Sequence, residues 1–335
     1  MISTLMLPGL LALGAAAQKQ TLPELPQADR VRIAEAFRLA DALGDRVWPG
    51  WDKAPFGVLL VTPENEFLIR HDRPSKDFTL IGADALLKHK VWYRKRQFSP
   101  RLLATFPAVG GISTIVIGQA ENTESRTSSR WVITLLHEHF HQLQETQPRY
   151  QADVDALGLA RGDQTGMWML NYPFPYTTPM IRDQFAGLGR ALAAALKAEQ
   201  PADFAARFAA YVAAKRKFQA MLSQDDYKYL AFQLWKEGIA RYTEYHLATL
   251  AAAEYKPTQQ FQDLKDFQPF QQTAQTILGG IEKELAAMQL DKSKREVVYN
   301  FGAAEGLLLD RARPGWRKRY FDERFSLDRH FLAEK

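Results

Sequence analysis

Hydrophobic and polar positions change period along the chain. From Asp29 to Leu43 the apolar residues recur at helical spacing. Phe56 to Thr62 and Glu66 to Arg70 are short apolar runs joined by a Pro-Glu-Asn turn, which predicts two strands. The β-branched run Ser113 to Ile117 predicts another. A polar linker, Glu121 to Ser129, leads into an apolar helical stretch centred near Leu135. Beyond Met180 the pattern is mostly helical, over 183–199, 202–222, 227–255, 272–289 and 295–312, with Pro201, Pro257, Pro269 and Pro314 as punctuation. The alanine-rich segments among these are close-packed helices on this reading. No internal repeat is visible. The order predicts an α+β protein, with a small sheet lobe over 18–125 and a helical lobe over 126–335.

The helical stretch carries His137-Glu138-His139-Phe140-His141. Turned at about 100° per residue, His137 and His141 lie about 40° apart on one side of the helix. Glu138 falls beside them, about 60° from His141. Val132, Leu135, Leu136, His139 and Leu143 gather on the opposite side. Two imidazoles one turn apart can grip one zinc ion, and the neighbouring glutamate can hold and deprotonate a water bound to it. Ser128 or Ser129 is positioned to cap the start, and Pro148 bounds the end. His139, on the apolar back, is expected to be a buried histidine bonded to a neighbour rather than a ligand.

A catalytic zinc takes three protein ligands and keeps one position for water. A metzincin would need Gly and His where Gln144 and Gln147 stand, so that class is excluded. Downstream, Glu237-Gly238-Ile239-Ala240-Arg241-Tyr242-Thr243-Glu244 matches E-G-x-A-x-Y-x-E. With the first motif, this resembles the gluzincin-type zinc metallopeptidases. The resemblance covers about a tenth of the chain. It implies a zincin-like fold and the ligand set His137, His141 and Glu237. It also implies Glu138 as general base and Glu244 as the carboxylate that steadies a ligand histidine. Independently, Glu237, Arg241 and Glu244 share one helix face, where a Glu237–Arg241 ion pair is the simplest alternative. Gly238 would let another backbone come close. Asp153, Asp155, Glu145 and His246 are weaker substitutes for the third ligand.

In metallopeptidases of this kind an edge strand before the zinc helix lies along the bound peptide, and Ser113–Ile117 is the candidate. Gly110-Gly111 stands where gluzincin aminopeptidases carry Gly-x-Met-Glu-Asn, and the glutamate that would bind an α-amine is missing. For oxyanion stabilisation Tyr299 is the first candidate, ahead of Tyr242, Tyr245 and His246. Asn171 to Tyr176, with two prolines, forms a stiff aromatic loop that either rims a cleft or packs as a connector.

The remaining features narrow the setting. At 335 residues with 46% hydrophobic content the chain can bury a large core. Zero cysteines excludes disulfides, thiolate ligands and thiol nucleophiles. Residues 1–17 form an apolar run ending Ala15-Ala16-Ala17, expected to be a signal peptide cleaved before Gln18, with a secreted or periplasmic destination and no membrane span afterwards. Net charge is +5, with basic clusters at Lys88–Arg96 and Arg317–Arg319, read as solvated faces without a nucleic-acid motif. The expected activity is therefore a zinc-dependent peptidase acting on a peptide or protein. The alternatives are a zinc hydrolase of a non-peptide amide or ester, and an inactive binding protein on a peptidase fold.

Overall fold

A computed structural model describes residues 22–332, so the expected leader lies outside the described residues. The chain is α+β: a mixed six-stranded sheet is followed by a mostly helical region. Helix α1 (Gln27–Leu39) precedes strands β1 (Val58–Val61), β2 (Asn65–Ile69), β3 (Thr79–Asp84), β4 (His89–Lys95), β5 (Leu103–Val109) and β6 (Ile112–Gly118). The sheet order is β3-β4-β2-β1-β6-β5. Among the described residues only β1 and β6 pair in parallel.

Period-two alternation divides the sheet between two apolar clusters. Val58, Leu60, Phe67, Ile69, Ile115 and Ile117 face the main core, which is shared with the helices. Leu59, Val61, Leu68 and Val116 face a smaller cluster with Phe78 and Val109. Burying both faces makes the inner strands continuously apolar, which is why β1, β2 and β6 were legible.

Three strands lay outside the expectation. β4 is the segment read as a basic patch. Its charges do not form one face: Arg94 is buried and bonds Glu66, its cross-strand partner in register, over 2.7 Å. β5 corrects the edge-strand expectation. Ser113–Ile117 lies inside β6, between β1 and β5, and β5 is the edge. Its Pro107 suits an edge position, where a missing N–H breaks no ladder. Gly110 and Gly111 both take positive φ (57° and 70°) in the tight β5–β6 turn, a conformation glycine adopts without strain.

Helix α2 (Ser128–Glu145) packs on β5 and β6 and also meets α1. Its cap differs from the expectation: Thr127 accepts from the Arg130 N–H, while Ser128 and Ser129 lie inside the helix and bond Asp266 and the Gln268 carbonyl. The later helices are α3 (Pro179–Lys197), α4 (Pro201–Gln219), α5 (Gln224–Gln233), α6 (Ile239–Glu254), α7 (Phe270–Ala286) and α8 (Val297–Ala312). Between α5 and α6 the chain makes one π turn, Leu234–Gly238. Such turns redirect side chains from the α register and recur at functional sites. Here the turn carries Glu237.

Helix α6 packs against α2, α7 and α8. At the crossing of the π turn with α8, Gly238 and Gly302 touch. A Cβ on Gly238 would stand 2.5 Å from Gly302 Cα, and one on Gly302 would stand 2.6 Å from Gly238 Cα. The close backbone approach expected at Gly238 is thus supplied by Gly302. It draws Tyr299, one turn earlier on α8, toward Glu237. Among the described residues, no helix is long and apolar enough to cross a membrane.

Candidate metal centre

The centre is built on α2, which is buried on all sides from Trp131 to Gln144. His137, Glu138 and His141 each offer a ligand atom, and these atoms lie within 4.8 Å of one another. The two imidazole Nε2 atoms are 3.2 Å apart. Glu237 Oε2, from the π turn, is 3.3 Å from His141 Nε2 and 3.8 Å from His137 Nε2. Three donors converge from two helical segments on one point, and the donor set of two imidazoles and a carboxylate suits zinc. The residues therefore fit a divalent metal.

Both histidines are held from behind. Glu244 Oε1 is 2.7 Å from His137 Nδ1, off the axis of a straight N–H bond, so the contact is chiefly an ion pair. Glu244 Oε2 accepts from Arg130 and Arg241, at 2.5 and 2.7 Å. Arg241 thus pairs with Glu244 rather than with Glu237. His141 Nδ1 is 2.7 Å from Gln144 Oε1, and the Gln144 amide donates to Tyr320 and to the Lys236 carbonyl. These contacts leave each Nε2 facing the point of convergence.

The electrostatics follow from burial. Burial alone would lower the His137 pKa, but the carboxylates of Glu237 and Glu244 beside it more than offset that and lift it to about 9. Burial pushes Glu237 upward, yet the His141 charge and the closeness of both imidazoles hold its carboxyl well below the usual range. Glu244 is likewise held low, against its burial, by Arg130 and Arg241. Both carboxyls stay ionised at neutral pH, as metal-site carboxylates must.

Glu138 points to the sheet, with its Oε2 2.7 Å from Thr105 Oγ1 on β5. Tyr299 lies on the other side, its ring centroid 6.1 Å from that of His137. Its hydroxyl accepts from Arg295 over 2.9 Å. Burial, then the nearby Glu237 charge, raises its pKa, so the phenol keeps its proton. The competing candidates are committed elsewhere: Tyr242 and His246 both bond Asp310. Glu145 pairs with Lys236, and Asp153 with Arg324. His139 bears out the buried reading. It stacks on Phe56 at 3.7 Å between centroids and meets Gln142 at 3.0 Å.

The aromatic loop is mainly a packed connector, with Tyr172 and Phe174 buried and Tyr172 stacked on Tyr229. Four contributors were missed in the sequence: Thr105, Arg130, Gln144 and Arg295. Only Gln144 carried a local signal, standing one turn after His141 on the same helix face. Thr105, Arg130 and Arg295 are joined to the centre only by the fold. No family model, curated protein or solved structure matches the chain.

Proposed function

We propose that this protein is a zinc-dependent peptidase of the gluzincin kind, with zinc held by His137, His141 and Glu237. The observation that carries the reading is the convergence of those three donors within 3.8 Å, with Glu138 beside them. A metal bound there supplies Lewis acidity toward a water and the substrate carbonyl. Glu138 takes a proton from the attacking water and returns it to the leaving amine. Tyr299 is the oxyanion donor: its oxygen already accepts from Arg295, so its own proton is free for the substrate. Glu244 steadies His137.

A peptide substrate is favoured over a small acyl compound by β5. Among the described residues this strand pairs on one side only, with β6, and it carries the threonine that touches Glu138. An extended peptide can add to such an edge through main-chain bonds. The lobes 18–125 and 126–335 would then be the two walls of the cleft. A secreted or periplasmic destination, from the 1–17 leader, belongs to the same proposal.

The test is hydrolysis of a peptide panel by zinc-loaded protein, with small amides and esters alongside, and with Glu138→Gln as control. Peptide cleavage is expected, with turnover in Glu138→Gln down roughly 10²–10⁴-fold at unchanged zinc content. Strong residual turnover in metal-replete Glu138→Gln would sink the mechanism. Cleavage confined to small acyl substrates would move the reading to a non-peptide hydrolase.

A further inference from the structure

Arg295 stands beside the metal centre with its side chain only 16% exposed, and both of its ion pairs among the described residues are long. Its bonds go to neutral acceptors, Gln233 Oε1 at 3.2 Å and the Tyr299 hydroxyl at 2.9 Å. The nearest carboxylate oxygens are those of Glu237 and Glu296, both at 3.8 Å. Glu296 is 69% exposed, and Glu237 is a proposed metal ligand. A largely buried guanidinium held only by ion pairs this long is incompletely compensated, and its fork suits a carboxylate at hydrogen-bond distance.

The surrounding charges sharpen the point. Around the centre stand Arg130, Arg241 and Arg295 against Glu138, Glu237, Glu244 and, at the rim, Glu296, and Arg130 and Arg241 share the one carboxylate of Glu244. A dication added to those three cations and four anions leaves an excess of one positive charge, beside Arg295. Glu284 is bonded to Asn300. The flank of Arg295 is aromatic and anchored to it: Gln233, which accepts from Arg295, donates to the Met169 carbonyl, as does Tyr229. That carbonyl belongs to the segment leading into the Tyr172–Tyr176 loop.

We propose, on the peptidase reading, that Arg295 receives the free terminal carboxylate of the substrate, so that the enzyme trims residues from the carboxyl ends of peptides. In that reaction water adds across the last peptide bond. Its oxygen joins the carbonyl carbon, the C–N bond breaks, and the proton taken by Glu138 goes to the departing amine. The aromatic flank predicts an apolar or aromatic final residue.

The experiment is calorimetric binding of N-acetyl-phenylalanine and of its amide to zinc-loaded Glu138→Gln protein. It is repeated with Arg295→Gln added, zinc being measured each time. The acid is expected to bind at least tenfold more tightly than the amide, and the advantage is expected to vanish with Arg295→Gln at equal zinc. Equal binding of acid and amide with Arg295 intact would overturn the proposal, whether or not the Arg295→Gln protein folds. So would an advantage that survives Arg295→Gln, since the metal alone would then capture the carboxylate. Cleavage of carboxyl-amidated peptides as fast as free ones would overturn this inference while leaving the peptidase reading standing. Failure to bind zinc, or to cleave any peptide, would overturn both.

Discussion

Thr105 Oγ1 lies 2.7 Å from Glu138 Oε2 and 3.0 Å from the Glu138 carbonyl oxygen, so one hydroxyl on the sheet edge fixes the orientation of the glutamate on α2. A hydrogen bond to a charged group contributes about 1.5–3 kcal/mol. If that bond aims Glu138 at the water, Thr105→Val should lower kcat roughly 10- to 100-fold, with zinc content and KM little changed. Steady-state kinetics on metal-replete protein checks this. An unchanged kcat would mean that Glu138 finds its place without the threonine.

Glu244 binds His137 on one oxygen and two guanidinium groups on the other. Glu244→Gln keeps the shape and removes the charge. Metal affinity should fall about 10- to 100-fold, the usual effect of losing the partner behind a ligand histidine. Competition against a chelator of known affinity measures it. Wild-type affinity in Glu244→Gln would show that the ion pair does not orient the ring.

His139 gives a pH dependence separate from the metal. Burial between Phe56 and Trp51 lowers its pKa from 6.5 to about 3. The unfolded chain therefore binds a proton below pH 6.5 that the folded chain refuses down to about pH 3. Stability from the neutral ring is complete above pH 6.5 and is lost as pH falls through that window, by about 1.4 kcal/mol per pH unit. Urea unfolding of the metal-free protein at stepped pH, beside His139→Phe, isolates the contribution. The variant should show a slope shallower by about that amount, and parallel slopes would refute the assignment.

What the sequence made legible was what local pattern controls. The period-two and period-3.6 runs located β1, β2, β6 and the long helices, and helix geometry put His137 and His141 on one side. Strands β3, β4 and β5 were missed because their stability lies in pairing. Arg94 looks solvated until Glu66 is opposite it, and Pro107 hides an edge strand. The far side of the centre was half legible. Glu237 and Glu244 were marked by their spacing, but Arg295 and Thr105 reach the site only through tertiary packing. The Gly238–Gly302 contact shows the difference: the need for a close neighbour could be read at Gly238, but its identity could not.

The central claim is that His137, His141 and Glu237 together hold one zinc ion. Elemental analysis of purified wild-type protein and Glu237→Ala, side by side after zinc loading and buffer exchange, tests it most directly. The account predicts near one zinc per chain in wild type and sharply less in a folded Glu237→Ala protein. Little zinc in well-folded wild type, or the same zinc in both, would contradict it.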